Sequence, residues 1–102
     1  MATLIATYCR AFPNTFGAQV AAVAVGAGAR SEEITIPATG ALVTVPGETV
    51  VVLLADDDCW VAVGPDPDTA EVDGARVAWP VPAGIPYPLL VAPGDKVKVV
   101  TR

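Results

Sequence analysis

The chain has 102 residues, the length of one ordinary domain, and 53% of them are hydrophobic while only 17% are charged. Its net charge of −5, with six Lys and Arg spread along the sequence, argues against partners that need a basic patch, so neither nucleic acid nor an anionic membrane is expected. The absence of His removes the commonest general base and the commonest metal ligand.

Ten Pro and nine Gly break the sequence into short apolar runs rich in Val, which predicts strands rather than long helices. The first run covers residues 3–11 and ends at the turn signal Pro13-Asn14-Thr15. The second covers residues 18–25; being rich in Ala, it reads as a strand or a short helix. The sequence Glu33-Ile34-Thr35-Ile36 alternates polar and apolar side chains, as a half-buried strand does. Val45-Pro46-Gly47-Glu48 reads as a type II turn, with Pro46 presetting φ and Gly47 accepting a positive φ.

Residues 49–55 are almost wholly apolar, which predicts a central strand buried on both faces. Asp56-Asp57-Asp58 ends it. A further strand over residues 59–64 places Cys59, Val61 and Val63 on one face and Trp60 and Ala62 on the other. A polar loop over 65–74 precedes a strand over 75–81 whose Pro80 marks an edge, and Pro86 and Pro88 mark a second edge over 85–91. Ala92-Pro93-Gly94-Asp95 repeats the earlier turn. The closing strand, 95–101, points Val97 and Val99 inward and Lys96 and Lys98 outward, where lysines guard an edge. Seven or eight strands at this spacing predict a single all-β domain over 1–102, an antiparallel β-sandwich or jelly roll. Its core is expected to hold Ile34, Ile36, Val50, Val52, Leu54, Val61, Val63, Val97 and Val99.

Chemistry is sparse. Cys9 and Cys59 lack metal-site spacing and read as buried small hydrophobes. The carboxylates of 56–58 and of 66–73 suit solvated turns, and the second group departs from the calcium-loop pattern at Pro67. Trp60 and Trp79 read as core or interface filler rather than a sugar platform. No catalytic, cofactor-binding or metal residue is expected.

The second half carries Asp58-Cys59-Trp60-Val61-Ala62-Val63-Gly64-Pro65-Asp66-Pro67, then Val81-Pro82-Ala83-Gly84-Ile85-Pro86-Tyr87, then Pro93-Gly94-Asp95-Lys96-Val97. These elements, within residues 50–101, resemble a family of small all-β virion proteins of phages and prophages. The resemblance implies a structural part, such as a head decoration, cement or fibre-base protein, made in the bacterial cytoplasm and carried in the virion. The start of the chain, without a basic leader, fits synthesis there. A glycan- or peptide-binding module is the alternative. The apolar excess predicts a homo-oligomer, a dimer or trimer, with other virion proteins such as the major capsid protein as further partners. The candidate contact surfaces are Trp79, Ile85, Tyr87 and Leu89 on the Pro-rich edge, and Leu4, Tyr8 and Phe12 near the start.

Overall fold

The computed structural model describes residues 2–14, 21–76 and 78–102, with the side chains of 11–14, 21–26, 71 and 72 outside that description. Ten strands follow in chain order: β1 (Thr3–Asn14), β2 (Ala21–Thr35), β3 (Ala38–Thr39), β4 (Val50–Ala55), β5 (Cys59–Gly64), β6 (Glu71–Val72), β7 (Ala75–Arg76), β8 (Trp79–Val81), β9 (Tyr87–Leu90) and β10 (Lys96–Thr101). No helix occurs among the described residues. Sheet A has the order β2-β1-β4-β9 and sheet B the order β3-β10-β5-β8, every named pair antiparallel. The expected all-β sandwich is thus the fold, and its two four-stranded sheets hold eight strands. The run over 18–25 is strand from Ala21 onward; residues 18–20 lie outside the described residues.

The core lies between the sheets. Leu4, Ala6 and Tyr8 of β1, Val51, Leu53 and Ala55 of β4, Cys59 and Val61 of β5, and Val97 and Val99 of β10 meet there with Ile34, Ile36 and Val81. The expected core is right for Ile34, Ile36, Val50, Val61, Val97 and Val99, which are buried. It is wrong for β4. Val52 is half-buried and Leu54 is exposed, because β4 shows one face to the core and the other outward, as antiparallel sheets commonly do. A wholly apolar run hides its parity, and the inward set is Val51, Leu53 and Ala55. Val63 is half-buried and packs at the margin of the core. The lysines of β10 do not guard an edge either, since β10 lies between β3 and β5.

Two turns of one design lead into β4 and β10. Glu48 N–H donates to Val45 O at 3.1 Å and Asp95 N–H to Ala92 O at 3.0 Å, with Gly47 at φ 97° and Gly94 at φ 93°. In each, the acidic residue's carboxylate reaches back to the first residue: Val45 N–H to Glu48 Oε1 at 2.9 Å, and Ala92 N–H to Asp95 Oδ2 at 2.8 Å. The turns are stitched together, Thr44 N–H donating to Asp95 O and Gly94 N–H to Thr44 O, both at 2.9 Å. The polar loop after β5 contains a hairpin missed from the sequence. β6 and β7 pair through Asp73-Gly74, both at positive φ (52° and 77°), as a type I′ turn requires. The Asp-Gly dipeptide was its signal.

Both expected Pro edges are edges: β8 closes sheet B and β9 closes sheet A. Hydrogen bonding alternates along an antiparallel pair. Counting in twos from Val91 N–H to Thr49 O puts Leu89 and Tyr87 in bonded pairs with β4 and leaves the Pro88 nitrogen facing outward. Counting from Arg102 N–H to Asp58 O assigns Trp60 to β10, so Pro80 opposite it also faces outward. Each proline therefore costs no ladder bond and removes a donor from an open edge.

Candidate interaction surfaces

Asp56, Asp57, Asp58 and Asp68 of the acidic clusters accept from the chain's own backbone. Asp56 accepts from Thr3 N–H at 2.7 Å and from Thr3 Oγ1 at 3.1 Å, and the Thr3 N–H bond, more than any other cause, holds its carboxyl below the usual range. Asp57 accepts from Asp58 N–H, Asp58 from Ala83 N–H and Asp68 from Ala70 N–H. Among the described residues no three Cys, Asp or Glu side chains converge as a metal site would need.

A polar cluster sits at one end of the sandwich because Arg30 and Glu32 share the inward parity of Ile34 and Ile36. Arg30 donates to Glu48 through Nε (2.8 Å) and Nη2 (2.6 Å) and to Val43 O (2.8 Å). Glu32 accepts from Leu42 N–H at 2.7 Å. A Cβ at Gly40 would collide with the Glu32 carboxylate as it is placed, so any larger residue there would have to displace the Glu32 side chain. The Tyr8 hydroxyl lies buried in the same region with no hydrogen-bond partner, and burial, reinforced by Glu32, pushes its pKa up to about 12. A hydroxyl desolvated without a partner does not stabilise the fold. Tyr8→Phe is therefore expected to leave stability unchanged or raise it by up to about 1 kcal/mol in urea unfolding; a loss of that size would mean that the hydroxyl is bonded after all.

Cys9 and Cys59 are free and buried, on different sheets. Desolvation raises both thiols, Cys59 to about 11, so neither is a ready nucleophile. On the outer face of sheet B the basic residues are less scattered than the sequence suggests. Arg76 and Arg102 lie 5.4 and 5.3 Å from the Trp60 ring centroid, and Lys96 and Lys98 point out beside it on β10. Acidic turns border this strip at both ends of β5.

Apolar surface is the larger feature. The outer face of sheet A places Ile5 opposite Leu54, both exposed, and Val52 opposite Pro88. Ile5 and Leu54 line an open depression of about 520 Å³ with Ala83. Between the β8 and β9 edges runs a groove of about 420 Å³. Val61, Val63, Trp79, Leu89 and Leu90 line it, with Asp66 and Asp68 on its rim. Trp79 is 48% exposed and tilts against Tyr87, ring centroids 5.9 Å apart. Leu90 is 83% exposed and Ile85 54%.

The sequence-derived candidates divide accordingly. Trp79, Tyr87 and Leu89 come together at the β8–β9 side, and Ile85 is exposed on the connection between those strands. Tyr87 and Leu89 are half-buried and also support the core. Leu4 and Tyr8 are corrected: both are wholly buried on the inner face of β1 and offer nothing to a partner. The side chain of Phe12 lies outside the described residues. Leu90 closes the expected contact edge, 79–90, and is its most exposed large apolar side chain, whereas Leu54 and Ile5 were missed. For Leu54 and Ile5 the signal was the strand parity that an unbroken apolar run conceals.

The β1–β2 hairpin outruns the sheet. β4 pairs with β1 only from Leu4 to Cys9, whereas β1 and β2 stay paired out to Asn14 and Ala21. Among the described residues, β1 pairs beyond Cys9 with β2 alone, as a two-stranded arm. It departs at a bulge that sets residues 26–29 of β2 against Cys9, with Gly28 at φ 78°. No residue from 11 to 29 is charged. Compared with protein-family models, curated proteins and solved structures, the chain matches none.

Proposed function

We propose that this protein is a non-catalytic virion structural protein of a phage or prophage, made in the bacterial cytoplasm, that associates with copies of itself and coats or joins other virion proteins such as the major capsid protein. The observation that carries this reading is the amount of apolar surface left on the chain, on the groove and the outer face of sheet A. Large exposed apolar patches on a small chain mark association surfaces. Asp56, Asp57, Asp58 and Asp68 are engaged with backbone N–H groups, in keeping with a structural role. The resemblance of residues 50–101 to small virion proteins supplies the kind of assembly.

The test is mass spectrometry of phage particles induced from and purified out of cells carrying the gene. The chain is expected in the particles at the copy number of a structural component; its absence from purified particles would overturn the reading. The glycan- or peptide-binding alternative rests on Trp79 beside the groove, since both arginines already occupy Trp60. Binding of soluble oligosaccharides by a protein missing from particles would favour it.

A further inference from the structure

Resting on the reading of the chain as a self-associating structural protein, we propose that copies join head to tail, the acidic rim of the groove of one copy docking on the basic outer face of sheet B of the next. The chain carries a net charge of −5, yet four of its six Lys and Arg gather on that one face: Arg76, Lys96, Lys98 and Arg102. Lys96 and Lys98 alternate with the buried Val97 and Val99, so both point outward. Lys98 stands opposite Ala62 and Val100 opposite Trp60. Arg76 and Arg102 lie against the Trp60 ring, and a guanidinium stacked on an aromatic ring keeps its charge and its N–H donors. Among the described residues Lys96, Lys98 and Arg102 make no ion pair.

Three observations select a second copy as the occupant. First, the strip is short. From Lys96 to Arg102 it runs about 20 Å at the usual rise of a strand, and acidic turns close both ends of β5. A long polyanion laid along it would cross those acids, whereas a compact acidic element fits between them. Second, the chain itself carries such an element. Asp66 and Asp68 are exposed on the rim of the groove, beside Trp79 and Leu90. Third, the apolar content also matches. Exposed ion pairs are worth about 0–1 kcal/mol each, so the charges set register and encounter rate while apolar contact supplies the affinity. Trp79 and Leu90 are exposed on one surface, and Val100 and the Trp60 ring are half-buried on the other.

Pro80 and Pro88 close the neighbouring edges to strand addition, so this side of the sandwich is covered by side-chain packing. Rim and strip are different surfaces, so the contact is heterologous. Every copy offers one of each, and the assembly closes as a ring or continues as a lattice.

The experiment is light scattering coupled to size exclusion at micromolar concentration, on the full chain and three variants. The first carries Lys96→Glu and Lys98→Glu, the second Asp66→Lys and Asp68→Lys, and the third all four changes, which cancel and keep the net charge at −5. The native chain is expected at a multiple of 10.4 kDa. The first two variants are expected near 10.4 kDa, because each sets like charges against like. The third is expected to regain the native mass, because its strip and rim are complementary again with their signs exchanged. In native protein, sodium chloride at about 1 M, where charges are screened beyond about 3 Å, is expected to raise the concentration of half-association about tenfold. Reversals that keep the native mass, or a folded four-change variant that stays monomeric, would overturn the rim-on-strip contact while leaving self-association standing. Should a variant fail to fold by circular dichroism, the salt response of the native chain decides, and an unchanged concentration of half-association would overturn the contact. A native chain at 10.4 kDa would remove self-association itself.

Discussion

Replacing Leu53 by Ala is expected to destabilise the domain by about 2–5 kcal/mol, whereas Leu54→Ala, one residue further, should cost less than about 1 kcal/mol. Leu53 has no exposed surface and stands in the middle of β4, with β1 on one side and β9 on the other. Truncating it removes transfer energy and leaves a cavity that two flanking strands cannot collapse into. Leu54 points to the outer face and is 37% exposed. For a domain of about 100 residues, each kcal/mol lowers Tm by about 4–8 °C, so the Leu53 variant should melt at least about 8 °C lower. Thermal unfolding at low protein concentration is the measurement, since association would add stability by mass action. A larger loss at Leu54 than at Leu53 would mean that β4 is paired one residue out of register, because a one-residue slip exchanges the two faces of a strand.

That pair of residues also shows where the sequence ran out. Strand existence and turn type were legible because they rest on local chemistry: Pro-Gly at Val45–Glu48 and Ala92–Asp95, alternation at Glu33–Ile36, and prolines at both edges. Which face of an unbroken apolar run points inward is not local. It is decided by the register of β4 against β1 and β9, and Leu54 was misplaced for that reason. The same limit misplaced Leu4 and Tyr8, whose apolar neighbourhood does not reveal that β1 is an inner strand with its even-numbered residues facing the core. The arm was illegible because it is a mismatch in length between two pairings, Leu4 to Cys9 with β4 and Thr3 to Asn14 with β2. Arg30 and Glu48 lie far apart in sequence, so their ion pair exists only once the loop closes over β2.

Glu48→Gln is expected to destabilise the fold by about 2 kcal/mol near neutral pH, the scale of losing charge-assisted hydrogen bonds from a site partly open to water. The Glu48 side chain is 7% exposed and accepts two bonds from Arg30 and one from Val45 N–H, so it fixes the first turn to the end of β2. With its carbonyl at the Oε1 position Gln can still accept from Val45 N–H and Arg30 Nη2, but the amide that replaces Oε2 turns its hydrogens toward Arg30 Nε, and the pairing of charges is lost. The Arg30 hydrogen bonds hold the Glu48 carboxyl below the usual range, against the opposing effect of burial. A carboxyl lowered in the folded state binds its proton more readily when unfolded. Its contribution is therefore complete above the unfolded value, about 4.3, and disappears as pH falls through the lower folded value. Asp56 is lowered too, by Thr3, and loses its contribution in the same direction. Both proteins should thus weaken in acid, but the native chain should weaken more. Urea unfolding across pH 7 to pH 3 reads the difference: the two stability curves converge as pH drops below about 4, and curves that stay parallel would mean that the Arg30–Glu48 pair adds nothing to the fold.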